Sequence, residues 1–319
     1  MSDTGNASSA VDLTQASEQF AIVTVCTPPF LPGTVVMLKS FLETNPWFRG
    51  DVVILTDKVT EELRAILTEI YPVKFRLIGQ RILDNAAIVR EAVTDRLILE
   101  VRFFAMELFA VSGYRKVLYL DSDLLITRDL TEFWSHPEPV VGVGDGFHYR
   151  DKLRTGPDYL PHKLRFWQKR SNYWSGQFNA GVLLIDDTVT TPERYQELVD
   201  MINPGNFSNK IRRFHNQKLL NIYFYQKAKL ISAKFNYRLG MAEEILQKDG
   251  VRFADAHIIH YTAKRKPWMA EQSAERLEAG GDYLTAFEMW QTCWQSLPLS
   301  LRERVEAATM PYEPHAPKT

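Results

Sequence analysis

An α/β fold with a mostly parallel central sheet flanked by helices is predicted by three observations. Short apolar runs alternate with segments of helical periodicity through the first half of the chain. The run Val117-Leu118-Tyr119-Leu120 lacks any polar alternation, as in a strand buried on both faces. Asp121 and Asp123 follow it directly, at the carboxyl end where open α/β sheets bind their ligands.

Taken in order, Phe20 to Thr27 is a β-rich run stopped by Pro28-Pro29. Gly33 to Leu42 has helical spacing and ends near Asn45-Pro46. Val52 to Thr56 is a strand, Glu61 to Tyr71 a helix and Val73 to Ile78 a third strand. No Gly-x-Gly-x-x-Gly follows the first strand, so a hydride-transfer dinucleotide site is not supported. Arg96 to Val111 fits a deeply packed helix that carries Arg102, either snorkelling at its edge or set near a bound diphosphate or sugar. Leu130 to Trp134 is a helical turn and Val140 to Asp145 a strand, whose final Asp145 can face a sugar.

The segment Gly146 to Ser175 mixes aromatic residues with Arg and Lys. It reads as an inserted loop or lid walling a substrate site, in preference to a single-stranded nucleic-acid surface. Phe178 to Asp186 is a buried strand whose start, Asn179-Ala180-Gly181, permits close approach of a ligand. Helices are expected over Thr191 to Ile202 and Asn216 to Phe224, an edge strand over Leu230 to Asn236, and a last strand over Ala256 to Tyr261. Ala270 to Trp294 is helical with a break at Gly280-Gly281. The expected division is a disordered N-terminus (1–19), one catalytic domain (20–270), a helical appendage (271–310) and a frayed tail (311–319).

With 38 basic and 39 acidic residues the 319-residue chain has a net charge of -1, which excludes a strong general attraction to nucleic acid or anionic membrane. Cys26 and Cys293 are far apart, so a disulfide framework is not expected and a reducing cytoplasm suits them. Met1 to Gln19 lacks the pattern of a secretory signal, and no run approaches the ~20 apolar residues of a membrane span. Any membrane contact is expected to be peripheral, at the inner face. Trp290 and Trp294, at helical spacing, read as core packing or as a membrane-facing edge.

Two acids at a strand end are costly to desolvate alone, but can share one hard divalent cation with a phosphorylated substrate. Further along stand Phe178-Asn179-Ala180-Gly181-Val182, then Asn216-Gln217-Lys218-Leu219-Leu220-Asn221, then His260-Tyr261 followed by Lys266-Pro267-Trp268. With Lys116 to Asp123, these resemble in order the motifs of the family 8 retaining glycosyltransferases, over residues 20 to 270. The resemblance implies a GT-A fold that uses a UDP-sugar and Mn²⁺, with Mg²⁺ as the alternative. By match, Asp121, Asp123 and His260 would ligate the metal, and Lys266 would contact the diphosphate. Asn179, Ala180, Asn216 and Arg102 would bind the donor. Gln217, with Asn179, would act at the reacting face of the sugar. The expected acceptor is left open among a glycan, a lipid-linked sugar and a protein, and nucleic acid is not an expected partner.

Three positions depart from the family pattern. Asn216 stands where an Asp is expected, Thr27-Pro28-Pro29-Phe30 replaces an acidic or Asn-rich turn, and Thr262-Ala263 replaces a Gly. They bear on the donor sugar and on uracil and phosphate binding. Two competing readings are a haloacid-dehalogenase-like phosphatase, which also uses Asp-x-Asp after a strand, and a non-catalytic UDP-sugar-binding relative. His257 and the Asp186-Asp187 pair are expected to be structural.

Overall fold

The computed structural model describes residues 15, 17–92, 100–150, 177–207, 215–262, 266–269, 277–278 and 280–312. A seven-stranded sheet runs in the order β3-β2-β1-β4-β7-β6-β8. Its strands are β1 (Phe20–Val25), β2 (Asp51–Thr56), β3 (Val73–Leu77), β4 (Lys116–Leu120), β6 (Val140–Gly144), β7 (Phe178–Asp186) and β8 (Lys229–Ile231). The pairs β1/β2, β2/β3, β1/β4 and β6/β8 are parallel, and β7 alone runs against its neighbours β4 and β6. The start of β7 therefore lies at the same sheet edge as the carboxyl ends of β4 and β6.

Strand periodicity divides the core in two. Phe20, Ile22, Leu118 and Leu120 face one apolar cluster, and Ala21, Val23, Val117 and Tyr119 face the other. Helix Leu31–Thr44 packs in the first cluster, and the 3-10 helix Glu100–Ala110 in the second. The latter occupies part of the span read as a helix from Arg96; residues 93–99 lie outside the described set. Its buried Glu107 accepts from Arg76 Nε at 2.7 Å, Gly79 N at 3.0 Å and Tyr195 OH at 2.7 Å. Three donors from separate segments offset the cost of burying that carboxylate.

A second, three-stranded sheet has the order β5-β10-β9, from Leu124–Ile126, Ile258–His260 and Tyr237–Arg238. The last expected strand thus belongs to this small sheet and not to the main one. The edge strand expected over Leu230 to Asn236 is shorter: β8 stops at Ile231, and a 3-10 turn, Ala233–Asn236, leads into β9. Helices Gln80–Ala92 and Ala242–Asp249 had no counterpart in the sequence reading. The loop expected from Gly146 opens as a short helix, Gly146–Arg150, and residues 151–176 lie outside the described set.

The C-terminal helices Gly281–Gln295 and Leu299–Ala308 pack on helix Leu31–Thr44. Trp290 and Trp294 are buried and stacked, ring centroids 5.7 Å apart, which is the core packing expected of the pair and not a membrane-facing edge. Ser17, within the stretch expected to be disordered, is buried in a 3-10 turn and its hydroxyl accepts from Arg49 N at 2.9 Å. Beyond Pro311, the Tyr312 ring meets Phe104 at 6.2 Å, while 313–319 lie outside the described set. No helix among the described residues is long and apolar enough to cross a membrane.

Candidate active site

β4 ends at Leu120, and Asp121-Ser122-Asp123 carry the chain into β5. Ser122 anchors that turn to the first core: its hydroxyl donates to Val25 O at 2.5 Å and accepts from Thr34 Oγ1 at 3.0 Å. β10 pairs antiparallel with β5 in the register Leu124↔His260, and Tyr261 N donates to Asp123 O at 3.0 Å. Backbone pairing therefore sets His260 beside Asp123. One ligand atom from each of Asp121, Asp123 and His260 lies within 4.8 Å of the others.

The remaining atoms of these side chains are tied elsewhere. The Tyr119 hydroxyl donates to Asp121 Oδ1 at 2.8 Å. Lys266 Nζ donates to Asp123 Oδ2 and to Tyr261 O, the latter at 2.7 Å. His260 Nδ1 pairs with Asn236 Oδ1 at 2.8 Å. What converges is Asp121 Oδ2, Asp123 Oδ1 and His260 Nε2; the last is 3.2 Å from Asp123 Oδ1 and 4.0 Å from Asp121 Oδ2. Donors bound side by side on one divalent ion sit about 3–3.5 Å apart.

Desolvation and the neighbouring Asp123 push the Asp121 carboxyl above its ordinary range. Desolvation opposes ionisation of Asp123 too, but the Lys266 and His260 charges outweigh it and hold that carboxyl well below the usual range.

Gly181 explains the small-residue start of β7. A Cβ there would sit 2.4 Å from Asp121 Oδ2 and 2.7 Å from His260 Cε1, so only glycine leaves the cluster its volume. Lys-Pro-Trp is explained by its tryptophan. Trp268 Nε1 donates to Pro29 O at 3.0 Å and its ring lies over Gly33, which fixes the segment carrying Lys266.

The second half of the site is made of amides. The β6–β7 register jumps from Gly142↔Leu183 to Val143↔Asn179, leaving Ala180, Gly181 and Val182 without partners in β6. Bulges of this kind re-aim groups beside ligand sites. Two N–H groups at this strand start meet side chains: Gly181 N donates to Asn179 Oδ1 at 3.0 Å, and Ala180 N to Gln217 Oε1 at 3.4 Å. Asn221 clamps helix His215–Tyr223 onto the strand through Phe178 N at 2.9 Å and Phe178 O at 2.8 Å. Gln217 is thereby placed to accept from Asn179 Nδ2 at 3.0 Å and donate to Asp145 Oδ2 at 2.9 Å. Asp145 Oδ1 accepts from the backbone of Phe147 and His148, both at 2.9 Å. Burial pushes the Asp145 carboxyl up, and these donors together with the Arg238 charge offset only part of that.

Asp121, Asp123, His260 and Lys266 thus meet in one cluster, and Asn179, Ala180 and Gln217 in an adjoining one. Asn216 is half-buried next to Gln217 and Arg102 is exposed on its 3-10 helix; both stand outside the hydrogen-bond network just described. His257 pairs with Asp129 O at 2.8 Å, and Asp186 accepts from Thr188 N at 3.0 Å, both structural as expected. Asn236 and Arg238 were missed. Arg238 is buried, donates to Gly144 O at 2.8 Å and lies 5.6 Å from the Tyr149 ring. The available signal was two polar residues in the otherwise apolar stretch Phe235-Asn236-Tyr237-Arg238.

Residues 21–272 match the family model described as glycosyl transferase family 8. The chain is 28% identical to the lipopolysaccharide 1,3-galactosyltransferase of Salmonella typhimurium, over 52% of this chain and 48% of that protein. It is 22% identical to human glycogenin-2, over 95% of this chain and 55% of that protein. It therefore spans about half the length of these curated relatives. A crystal structure of the galactosyltransferase LgtC with donor and acceptor sugar analogues superposes with a TM-score of 0.59 at 18% identity, covering 89% of this chain and 99% of that one. The central sheet is thus of the GT-A type. The phosphatase reading falls with the family match, since that match takes in all four motif segments and most of the chain: the chain belongs to glycosyl transferase family 8.

Proposed function

We propose that the chain is a retaining, metal-dependent hexosyltransferase that moves glucose or galactose from a UDP-sugar to a glycan or lipid-linked acceptor. The observation that carries this reading is the convergence of Asp121 Oδ2, Asp123 Oδ1 and His260 Nε2 from segments far apart in sequence. Two carboxylates and one imidazole fit Mn²⁺, with Mg²⁺ as the alternative, and three protein ligands leave positions for phosphate oxygens. When bound, the ion supplies charge stabilisation to the departing diphosphate.

The chain's own residues supply the rest. Lys266 adds a point charge at the diphosphate side. Asn179 and Ala180 present the sugar-side surface, and Arg102 and Asn216 are assigned to donor binding by motif position. Gln217 faces the reacting carbon as a neutral amide. Both oxygens of Asp145 are engaged by donors, so it holds Gln217 and does not serve as a free nucleophile. The paired-carboxylate scheme of glycosidases is then unnecessary. Attack comes from the face the leaving group vacates, and the departing phosphate takes the acceptor proton, which preserves configuration. Support for the hexose comes from relatives named as a lipopolysaccharide 1,3-galactosyltransferase and a lipopolysaccharide 1,2-glucosyltransferase. A lipid-linked acceptor would be met by peripheral contact at the inner membrane face, and a protein acceptor is the remaining option.

The test is UDP release across a panel of UDP-sugars with Mn²⁺, repeated with EDTA and with Asp123→Ala. Turnover with one hexose donor that both treatments abolish is the expected result. Equal turnover in EDTA, or an unimpaired Asp123→Ala enzyme, would overturn the metal-dependent reading.

A further inference from the structure

We infer that Asn236 is a positioning residue that selects which nitrogen of His260 faces the metal and ties that choice to the sugar-side amides. The inference rests on the metal-site reading above. Asn236 is fully buried at the end of the 3-10 turn that enters β9. β9 pairs with β10 in the register His260↔Arg238, so the chain passes beside His260 by backbone pairing.

The direction of each amide follows from groups that cannot be reversed. Gly181 N–H can only donate, so the Asn179 atom it meets at 3.0 Å is the oxygen. Asn236 approaches that same oxygen at 3.0 Å and must present its NH₂ there. Its own oxygen is then the atom 2.8 Å from His260 Nδ1. An amide oxygen only accepts, so Nδ1 carries a proton whatever the state of Nε2, and Nε2, 3.2 Å from Asp123 Oδ1, is the nitrogen left to face an ion. Turning Asn236 over would oppose two oxygens at Asn179. It would also aim a donor at Nδ1 and drive the proton onto Nε2, the nitrogen that has to be bare to bind an ion.

The other end is fixed in the same way. Gln217 Oε1 accepts from Ala180 N–H at 3.4 Å, so its NH₂ points to the acceptor-only Asp145 carboxylate at 2.9 Å. One directional chain therefore runs His260–Asn236–Asn179–Gln217–Asp145. Asn236 is its single joint between the imidazole and the amides.

The experiment combines long-range ¹H–¹⁵N spectra of ¹⁵N-histidine-labelled, metal-free protein with Mn²⁺ titration followed by electron paramagnetic resonance. His260→Gln assigns the His260 signal and serves as the control for the metal site. Wild type should show a proton on Nδ1, whether or not Nε2 carries a second one toward Asp123, and Mn²⁺ should displace only a proton on Nε2. Asn236→Ala should lose that preference and weaken Mn²⁺ binding by about 10–100-fold. Asn236→Asp restores an acceptor for Nδ1–H and should recover the tautomer and the affinity. It cannot donate to Asn179, so kcat at saturating Mn²⁺ should stay low. An Nε2–H tautomer in the wild type, or a folded Asn236→Ala protein with wild-type Mn²⁺ affinity, overturns the inference. If Asn236→Ala does not fold, the wild-type spectrum and Asn236→Asp decide. If His260→Gln itself leaves Mn²⁺ affinity unchanged, the metal-site reading fails and takes this inference with it.

Discussion

The Tyr119 hydroxyl, from β4, donates at 2.8 Å to Oδ1 of Asp121, the residue just past the end of that strand. That bond leaves Oδ2 as the oxygen turned to His260. Tyr119→Phe keeps the ring in its core and removes only the orienting donor. Mn²⁺ affinity should fall by about tenfold or more, as for other groups that hold a metal ligand in place. Isothermal titration with Mn²⁺ reads this directly, and an unchanged affinity would remove Tyr119 from the site.

Gly181→Ala tests the cavity in place of the ligands. Its new methyl would lie 2.4 Å from Asp121 Oδ2 and 2.7 Å from His260 Cε1. Gly181 has no positive φ, so alanine brings no backbone strain of its own. The expected outcome is a folded protein whose Mn²⁺ binding is lost and whose donor turnover falls with it. Circular dichroism alongside the titration separates this from unfolding.

Which parts of this site could be read from sequence follows from how each is built. Asp121, Asp123, Asn179, Gln217 and His260 lie in motifs of fixed local spacing, so the sequence marks them. The three-stranded sheet that joins them does not announce itself. β5, β9 and β10 are very short, and the pairing of β5 with β10 joins segments more than a hundred residues apart. The β6–β7 register jump is equally silent, because Val140 to Gly144 reads as an ordinary strand. Asn236 and Arg238 became visible as site residues only once that small sheet set them beside His260 and Asp145. Helix Gln80–Ala92 was missed because its apolar stripe, Ile82, Ala86, Ala87 and Val89, is mostly small residues.

Lys266→Met removes the cation paired with Asp123 while keeping most of the side-chain volume. Both side chains are about nine-tenths buried. Stripping one partner from a buried pair leaves an uncompensated charge and costs about 3–5 kcal/mol. The variant should therefore unfold at lower urea concentration in EDTA. Saturating Mn²⁺ should stabilise the variant more than wild type, because the ion replaces charge that Asp123 has lost. Equal Mn²⁺ stabilisation of the two proteins would show that Lys266 and the ion do not act on the same carboxylate.

Cys26 gives a pH dependence that does not pass through the metal ligands themselves. Burial pushes its thiol up to about 12, and a hydrogen bond with Thr34 recovers only part of that shift. In the unfolded chain the thiol titrates near ~8.5. Between these values the native state keeps a proton that the unfolded state releases, so the unfolded state binds fewer protons and stability falls as pH rises. The Cys26 share of that loss is negligible at pH 7.5 and about 1.4 kcal/mol at pH 9.5. Cys293, held up at about 11, adds a loss of the same sign. Cys26→Ala should therefore lose about 1.4 kcal/mol less than wild type between those two pH values, whatever its stability at neutrality. Urea denaturation of both proteins at each pH measures the difference. Identical pH slopes would mean that the unfolded chain does not ionise Cys26 in the normal way, or that the folded one does.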